Sequence, residues 1–200
     1  MSKPAASPRQ FPLRRRAVVQ RLIGARADLL VVTGLGSASW DAAAAGDRDL
    51  TFPLWGAMGG AVSMALGLAL AQPRRRVLAI TGDGEMLMGL TALTTIGALR
   101  PANLGIAVLD NEHYGETGGQ RTNTGRGSDI AAIAKASGIA DAGTVRAERD
   151  VARAVKALTG EGRLALRVFK VRMEDLPLVM PPKDGALLRD RFRRALGLDG

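Results

Sequence analysis

Cysteine is absent from this chain, and long apolar runs are scarce. Without cysteine there is no disulfide framework and no zinc or iron–sulfur site with thiolate ligands. The absence fits a reducing compartment, and we expect a cytoplasmic protein. The longest apolar stretch, residues 56–71, is glycine-rich and too short to span a bilayer, and residues 1–17 lack the apolar core of a signal peptide.

Aromatic residues are also few, with four phenylalanines and one tyrosine. The formal net charge is +9, so nucleic-acid binding has to be considered. The chain nevertheless offers few rings on which bases stack, and its cations are scattered apart from residues 14–16 and 74–76. Solvated faces, an acidic partner subunit or an anionic ligand explain the charge more simply. A basic nucleic-acid-binding protein remains an alternative, and it would lose affinity steeply with salt.

Hydrophobic residues make up 46% of the chain, which is enough for the core of one α/β domain. Continuous apolar runs predict buried strands, and they alternate with segments of helical spacing. This alternation predicts a doubly wound parallel sheet with helices on both faces. Strands are predicted within 27–39, 50–56, 75–84, 104–111, 142–147 and 163–171, and helices within 14–26, 57–72, 85–99, 129–138, 149–160 and the basic segment 176–200.

Three glycine-bearing turns follow predicted strands: Gly34–Gly36, Gly82–Gly84 and the loop after Asn111. Ligands of parallel sheets bind at the carboxyl ends of the strands, so we expect these turns to converge on one site. Gly34–Gly36 alone is a weak dinucleotide signal, because the third glycine is absent and no helix clearly follows it. An ordinary tight turn is the simpler interpretation of that segment.

The turn Gly82–Gly84 is more informative because it carries a carboxylate, Asp83, before a predicted helix. Glycines allow the backbone to approach a ligand, and the first N–H groups of a helix suit phosphate. Asp83 repels phosphate unless a hard cation such as Mg²⁺ lies between them, and Asn111 would supply a second oxygen. The alternative is that Asp83 caps the helix and Asn111 holds a turn. The presence of both residues at neighbouring strand ends favours the metal.

The segment from Gly82 to Asn111 resembles the diphosphate–magnesium motif of thiamine-diphosphate enzymes, in which GDG precedes Asn by about thirty residues. Upstream, "LWGAMGGAVSMALGLALA" is similar to the segment of that family that holds the aminopyrimidine ring. The loop "DNEHYGETGGQRT" is similar to that of sulfopyruvate decarboxylase β subunits and phosphonopyruvate decarboxylases. The resemblance covers about residues 28–172. It implies a diphosphate-binding domain, which we place at 13–175. The composition of the two ends predicts a flexible tail rich in Pro, Ser and Ala at 1–12 and a C-terminal extension with a basic helix at 176–200.

By this resemblance, thiamine diphosphate and Mg²⁺ are the expected cofactors. Asp83 and Asn111 would bind the ion through their side chains, and His113 through its backbone carbonyl. His113 is the only histidine of the chain, so an acid–base role of its imidazole is the alternative. Gly56 would accept a hydrogen bond from the aminopyrimidine, and Met58 would force the cofactor into its bent shape. An ordinary core methionine is the alternative for Met58.

The resemblance also implies that Gly82, Gly84, Glu85, Tyr114 and Gly115 line the diphosphate. Relatives often carry serine where this chain has Glu85, so the role of that carboxylate is open.

The next residues of the loop are candidates for contact with substrate. Glu116 stands where the similar decarboxylases usually carry serine, and it is either an acid–base group near the substrate or an exposed loop carboxylate. Thr117 is the second candidate catalytic residue. Gln120 and Arg121 would face the substrate, and Arg121 suits an anionic tail. A surface cation is the alternative for Arg121.

The glutamate that activates the cofactor belongs, in this family, to a separate pyrimidine-binding domain. Two hundred residues have room for one of the two domains, and the diphosphate motif identifies which one is present. The resemblance therefore implies a hetero-oligomer with a pyrimidine-domain subunit of similar size. The expected activity is decarboxylation of a small anionic 2-oxo acid, with the cofactor as electron sink. A carboligase subunit of the acetolactate-synthase kind and a non-catalytic cofactor-binding module are the alternatives.

Overall fold

The computed structural model describes residues 11–54 and 56–198. The predicted tail, residues 1–12, lies outside the described residues except for Phe11 and Pro12. The helices are α1 (Arg15–Gly24), α2 (Ser37–Ala44), α3 (Ala61–Ala71), α4 (Asp83–Met88), α5 (Ala92–Leu99), α6 (Ile130–Ala136), α7 (Glu148–Thr159) and α8 (Gly185–Ala195). The strands are β1 (Leu30–Thr33), β2 (Thr51–Pro53), β3 (Val77–Gly82), β4 (Leu104–Asp110), β5 (His113–Tyr114), β6 (Gln120–Arg121), β7 (Ala142–Val145) and β8 (Ala165–Lys170).

Six parallel strands form one sheet in the order β2-β1-β3-β4-β8-β7, which confirms the predicted fold class. The chain runs outward from β1 to β2 and then crosses back to place β3 on the other side of β1. The carboxyl ends of β1 and β3 therefore flank the point where the strand order reverses, which is where open α/β sheets bind ligands. Strands β5 and β6 form a separate antiparallel hairpin in the loop after β4.

Alternate residues of the central strands pack on opposite faces of the sheet, as the pleat requires. Val32, Ala79 and Val108 belong to the core beneath α3, α5 and α6, whereas Val31 and Leu78 belong to the core beneath α1, α2 and α7. Both faces are thus covered, which explains why these strands are continuously apolar. In the described part of the chain, no helix is long and apolar enough to cross a membrane.

Two helix predictions are wrong. The single helix expected at 85–99 is two helices, and the first of them begins earlier, at Asp83. The interruption falls at Gly89, whose backbone lies so close to the carbonyl of Gly59 that a Cβ atom would overlap it. The helix α2, which the sequence does not predict after Gly36, is present. Its N-cap is Gly36 with φ 70°, and no side chain caps it, so the usual sequence signal for a helix start is missing.

The predicted basic helix at the C-terminus is present as α8, and it packs against the edge strand β2. The rings of Phe192 and Phe52 meet edge to face with centroids 6.0 Å apart. Arg191 makes two hydrogen bonds of 2.6 Å to the carboxylate of Asp47. The C-terminal extension is therefore part of the packed fold.

Close contact between α5 and the end of α6 depends on Gly97. A Cβ atom there would overlap the backbone carbonyl of Ser137, which cannot move without shifting the chain. We expect Gly97→Ala to lower the free energy of unfolding by about 2 kcal/mol or more. Gly67→Ala is the matched control, because Gly67 lies in α3 with open space where the new methyl group would project; it should stabilise the chain by about 0.5–1 kcal/mol. Urea unfolding of both variants measures the difference, and equal effects would contradict the close contact.

Candidate functional site

A cleft of about 650 Å³, including its open mouth, lies at the carboxyl edge of the sheet between the ends of β1, β3 and β4. All three glycine-bearing segments contribute to it, as their positions after parallel strands predicted. Its walls are Arg15, Leu35, Ser37, Ala38, Met58, Gly82, Asp83, Gly84, Glu85, Leu109, Asn111, His113, Tyr114, Gly115, Glu116 and Thr117.

Asp83 is the first residue of α4, and its buried side chain lines this cleft. Its Oδ2 atom accepts hydrogen bonds from the hydroxyls of Thr122 at 2.6 Å and Thr124 at 3.0 Å. No described cation forms an ion pair with it. Burial, and then the negative charge of Asp110, raise the pKa of Asp83 from 3.8 to about 6. Because the N-cap of α4 is Gly82 and no side chain caps that helix, the capping alternative for Asp83 is wrong.

Asn111 and His113 form two hydrogen bonds with each other in the loop that follows β4. The Oδ1 atom of Asn111 accepts a hydrogen bond of 2.9 Å from the backbone N–H of His113. The His113 Nδ1 atom lies 2.8 Å from the carbonyl oxygen of Asn111, so Nδ1 carries the proton and donates it. Asn111 thus holds a turn, as the alternative stated, while its Oδ1 keeps a further lone pair. Both residues line the cleft beside Asp83.

A buried ionic network lies behind Asp83, and the sequence did not indicate it. The Nζ atom of Lys170 is 2.9 Å from Asp110 Oδ2 and 2.7 Å from Glu112 Oε1. Thr124 Oγ1 is 2.9 Å from Asp110 Oδ1 as well as 3.0 Å from Asp83 Oδ2. A hydroxyl has one proton, so Thr124 serves one of these two carboxylates at a time. Lys170 offsets the charge of Asp110, whereas Asp83 has no such described partner.

These donors fit a hard divalent cation. Among the residues that the structure describes, no three His, Cys, Asp or Glu side chains are grouped to hold a metal. The candidate set is instead one carboxylate, one amide and backbone carbonyls, which is the oxygen-rich environment that Mg²⁺ prefers. A buried carboxylate with a raised pKa and no described cation beside it is the feature that such an ion would offset.

Gly82 and Gly84 leave room for a ligand in different ways. A Cβ atom on Gly82 would meet nothing within 4 Å, so its backbone faces the open cleft. A Cβ atom on Gly84 would overlap the ring of Tyr114, which lies directly on this backbone and closes one wall. Tyr114 and Gly115 line the cleft, and their contact with a diphosphate stays a prediction.

Glu85 lines the cleft, but its carboxylate is buried beneath the turn that follows β1. Thr81 Oγ1 donates a hydrogen bond of 2.8 Å to Oε2, and a Cβ atom on Gly34 would overlap the carboxylate. The backbone N–H groups of Leu35, Gly59 and Ala61 lie near enough to favour its charge, although none forms a hydrogen bond of normal geometry with Oε1. Burial outweighs these contacts and raises the pKa of Glu85.

The remaining predicted residues divide into two groups. Met58, Glu116 and Thr117 line the cleft, and Met58 is 36% exposed there, so it is not an ordinary core methionine. Gly56, Gln120 and Arg121 are not among the lining residues. Gln120 bonds to the side chain and carbonyl of Thr117, and Arg121 donates to the carbonyl of Gly125 at 2.6 Å. The chain by itself therefore does not bring Gly56, Gln120 or Arg121 into the cleft. The contacts of Gly56 with the cofactor and of Gln120 and Arg121 with substrate stay predictions.

Arg15 is a lining residue that the sequence pattern did not reveal. Its side chain is only 9% exposed, and its Nε atom donates to the fully buried carboxylate of Asp41. In the sequence, Arg15 is one of three consecutive cations at residues 14–16 and looks exposed. The signal that could have found it is helical spacing, because Val19 and Leu22 follow at i+4 and i+7 on the buried face of α1.

The contact between Gly34 and Glu85 is testable by a double-mutant cycle. Gly34→Ala is expected to lower the free energy of unfolding by about 1–3 kcal/mol, because the new methyl group overlaps the Glu85 carboxylate. Glu85→Ser removes the overlapping atoms, so Gly34→Ala should cost less in that background. Additive costs in urea unfolding would mean that the two residues do not interact.

Comparison with known proteins identifies the fold of the cleft. A profile of the family described as "Thiamine pyrophosphate enzyme, C-terminal TPP binding domain" matches residues 35–168. The solved structure of a benzoylformate decarboxylase from Polynucleobacter necessarius superposes with a TM-score of 0.70 at 20% identity, covering 89% of this chain and 36% of that one. At this identity the structural match shows the fold alone.

Curated relatives include two kinds of decarboxylase. The sulfopyruvate decarboxylase subunit beta of Methanocaldococcus jannaschii is 40% identical over 55% of this chain and 58% of its own length. The same-named subunit of Methanococcus maripaludis is 34% identical over 92% of this chain and 98% of its own. The phosphonopyruvate decarboxylase of Streptomyces viridochromogenes is 42% identical over 64% of this chain, but the match spans only 32% of that protein.

The sequence match thus covers the turns whose glycines, carboxylate and amide surround the cleft, and the superposition reproduces the sheet that brings them together. The chain therefore belongs to the thiamine pyrophosphate enzyme family, and the domain that it contains is the C-terminal TPP-binding domain.

Proposed function

We propose that this chain is the diphosphate- and magnesium-binding subunit of a two-subunit, thiamine-diphosphate-dependent decarboxylase of 2-oxo acids with an anionic tail. The observation that carries the proposal is Asp83, a buried carboxylate without a described counter-ion, at the ligand edge of a thiamine-pyrophosphate-binding fold. The names of the relatives support a sulfopyruvate- or phosphonopyruvate-like substrate.

In this proposal the residues of the cleft divide the work. Asp83, the Asn111 side chain and the His113 backbone carbonyl hold Mg²⁺, and Gly82, Gly84, Tyr114 and Gly115 surround the diphosphate. Gly56 and Met58 position the aminopyrimidine. When bound, the cofactor supplies the electron sink for loss of CO₂. Glu116 and Thr117 line the cleft, and in this proposal they face the substrate and hold or move a proton there.

A partner chain is part of the proposal. Three relatives are named "subunit beta", and the phosphonopyruvate decarboxylase of Streptomyces viridochromogenes is about three times as long as the region it shares with this chain. We expect the partner to supply the pyrimidine-binding domain with the activating glutamate. Without that chain the cleft binds the diphosphate but does not turn over substrate.

The test is native mass spectrometry of the tagged chain purified from its own host, followed by activity assays of the complex. We expect a heteromer with a second chain of similar size, one thiamine diphosphate and one Mg²⁺ per site, and release of CO₂ and an aldehyde from sulfopyruvate or phosphonopyruvate. A homo-oligomer that binds the cofactor without turnover would favour the non-catalytic module. Condensation of two 2-oxo acids by the heteromer would favour the carboligase, and retained nucleic acid without cofactor would refute the proposal.

A further inference from the structure

The cleft has a marked imbalance of side-chain charge. Three carboxylates, Asp83, Glu85 and Glu116, line it, and Arg15 is the one permanently charged cation among its described lining residues. A diphosphate adds several further negative charges, and one divalent ion offsets only part of them. The position of Arg15 therefore matters for any phosphate that enters the cleft.

Arg15 is buried and forms one ion pair, but it keeps most of its hydrogen-bonding capacity. Its Nε atom donates to Asp41 Oδ2 at 2.5 Å, and Arg16 Nε donates to the other oxygen, Oδ1, at 2.9 Å. One carboxylate thus lies between two guanidinium groups, which leaves the cluster with a net positive charge. No described residue accepts a hydrogen bond from the terminal nitrogens of Arg15. Four N–H bonds of a planar fork remain available, which suits a phosphate.

The placement of this cation opposes helix stability. Arg15 is the first residue of α1, where the helix dipole disfavours positive charge. Burial of the guanidinium adds a desolvation cost. Asp41 offsets one charge but is shared with Arg16. Arg15 is thus buried at the helix end that disfavours a cation, and it still has free N–H donors. A bound anion would offset the cost of this placement.

A second set of donors lies in the same wall of the cleft. Ser37 and Ala38 are the first two residues of α2. The first backbone hydrogen bonds of this helix run from the N–H groups of Ser39 and Trp40 to the carbonyl of Gly36. The N–H groups of Ser37 and Ala38 therefore have no acceptor within the helix. Both residues line the cleft with Arg15. The Glu116 carboxylate already packs against Gly36 at this helix end. An oxyanion that reaches the turn after β1 would meet the N–H groups of α2 and the guanidinium of α1 together.

We propose that Arg15, oriented by Asp41, binds the phosphate oxygens of the diphosphate through its terminal guanidinium nitrogens. This inference rests on the proposed function, and it adds a residue that lies outside the GDG–Asn motif. An anionic substrate tail would present the same oxyanion chemistry, so the experiment separates the two sources.

The first measurement is isothermal titration of the full chain with inorganic pyrophosphate and Mg²⁺. We expect Arg15→Met to raise the Kd about tenfold or more, because a charge-assisted contact is lost. Arg15→Lys keeps the charge but not the planar guanidinium, so its Kd should lie between those of Arg15→Met and wild type. Arg16→Met is the matched control, since it contacts the same carboxylate without lining the cleft, and its Kd should stay within about twofold of wild type. Thermal unfolding of each variant checks that it is folded.

The second measurement uses the complete two-chain complex with an anionic and a neutral 2-oxo acid. Arg15→Met should raise the thiamine diphosphate concentration needed for half activity, while the ratio of kcat/KM between the two substrates stays constant. An unchanged pyrophosphate Kd with a selective rise in KM for the anionic acid would overturn the inference and assign Arg15 to the substrate. If Arg15→Met and Arg16→Met weaken pyrophosphate binding equally, the inference is overturned, and the role of both arginines is structural. Suppose that wild type binds pyrophosphate and Asp83→Asn does not. An unchanged pyrophosphate Kd in Arg15→Met then refutes the role of Arg15 and leaves the proposed function intact. If wild type does not bind pyrophosphate at all, both the role of Arg15 and the proposed function are refuted.

Discussion

Asp83→Asn should abolish the Mg²⁺-dependent binding of diphosphate and, at neutral pH, make the metal-free chain more stable. The binding loss follows because the variant removes the one carboxylate of the proposed ion site, and we expect the Kd for Mg²⁺-pyrophosphate to rise at least about a hundredfold. The stability gain follows because the pKa of Asp83 is raised to about 6 by burial and by Asp110. The asparagine side chain keeps an oxygen that can accept the hydrogen bond from the hydroxyl of Thr122. Because the amide is uncharged, its burial costs less than that of the carboxylate.

The raised pKa of Asp83 makes the stability of the wild-type chain depend on pH. In the unfolded chain the carboxyl titrates near 3.8, so between about pH 4 and pH 6 the folded chain binds more protons than the unfolded one. The contribution of Asp83 to the free energy of unfolding therefore falls as pH rises through this window, by roughly 3 kcal/mol for a shift of about two pH units. Stability in the wild type is lost with rising pH, and Asp83→Asn removes this dependence.

The measurement is urea unfolding of both proteins between pH 4 and 7.5 with EDTA present. The variant and wild type should have similar stability near pH 4, and the variant should gain progressively above it. Asp190→Asn, an exposed carboxylate on α8, is the control and should change stability by less than about 0.5 kcal/mol. Equal stability of Asp83→Asn and wild type at pH 7 would contradict the raised pKa, and retained binding would contradict the ion site.

Arg76→Met is expected to cause the largest loss of stability, about 4 kcal/mol, because several buried carbonyls lose their donor. Arg76 is 3% exposed and donates to the carbonyl of Leu158 through Nε at 2.9 Å and Nη2 at 2.7 Å. Its Nη1 atom donates to the carbonyls of Ala102 at 3.0 Å and Arg163 at 2.7 Å. One guanidinium thus joins the end of α7 to the segments that lead into β4 and β8. Burial lowers the pKa of Arg76 to about 10, so it stays charged at neutral pH.

Arg74, two residues earlier in the chain, provides the control for this variant. Arg74 is exposed, and Arg74→Met should change the free energy of unfolding by less than about 0.5 kcal/mol although it removes the same charge. Arg76→Lys keeps the charge but cannot reach three carbonyls, so it should lose an intermediate amount. A small effect of Arg76→Met in urea unfolding would show that water replaces the guanidinium at these carbonyls.

The sequence predicted the fold well because both faces of the sheet are covered. Strands such as β3 and β4 are buried throughout, so their apolar runs are continuous and easy to recognise. The break at Gly89 could not be predicted, since it depends on the backbone of Gly59, thirty residues earlier in the chain. Local periodicity carries no information about such a contact.

The same limit applies to the cleft. Positions at strand ends predicted that Asp83 and Asn111 would belong to one site, because parallel strands end at one edge, and both line the cleft. The direction of the Glu85 side chain was not predictable, since it depends on the space left by Gly34. Arg15 and Arg76 belong to basic clusters that the sequence predicts to be exposed. In the structure both are buried, because Arg15 donates to Asp41 and Arg76 donates to the carbonyl of Leu158. Burial of an arginine depends on acceptors that only the folded chain assembles.

The lengths of the two outer strands bear on how the protein avoids aggregation. Strand β2 has three residues and ends in Pro53, and α8 covers it through Phe192; at the other border, β7 has four residues. Short borders, one of them with a proline, offer few free backbone groups to a strand of another molecule. The sheet cannot readily grow by recruiting further strands, so recognition of other chains is left to helices and loops.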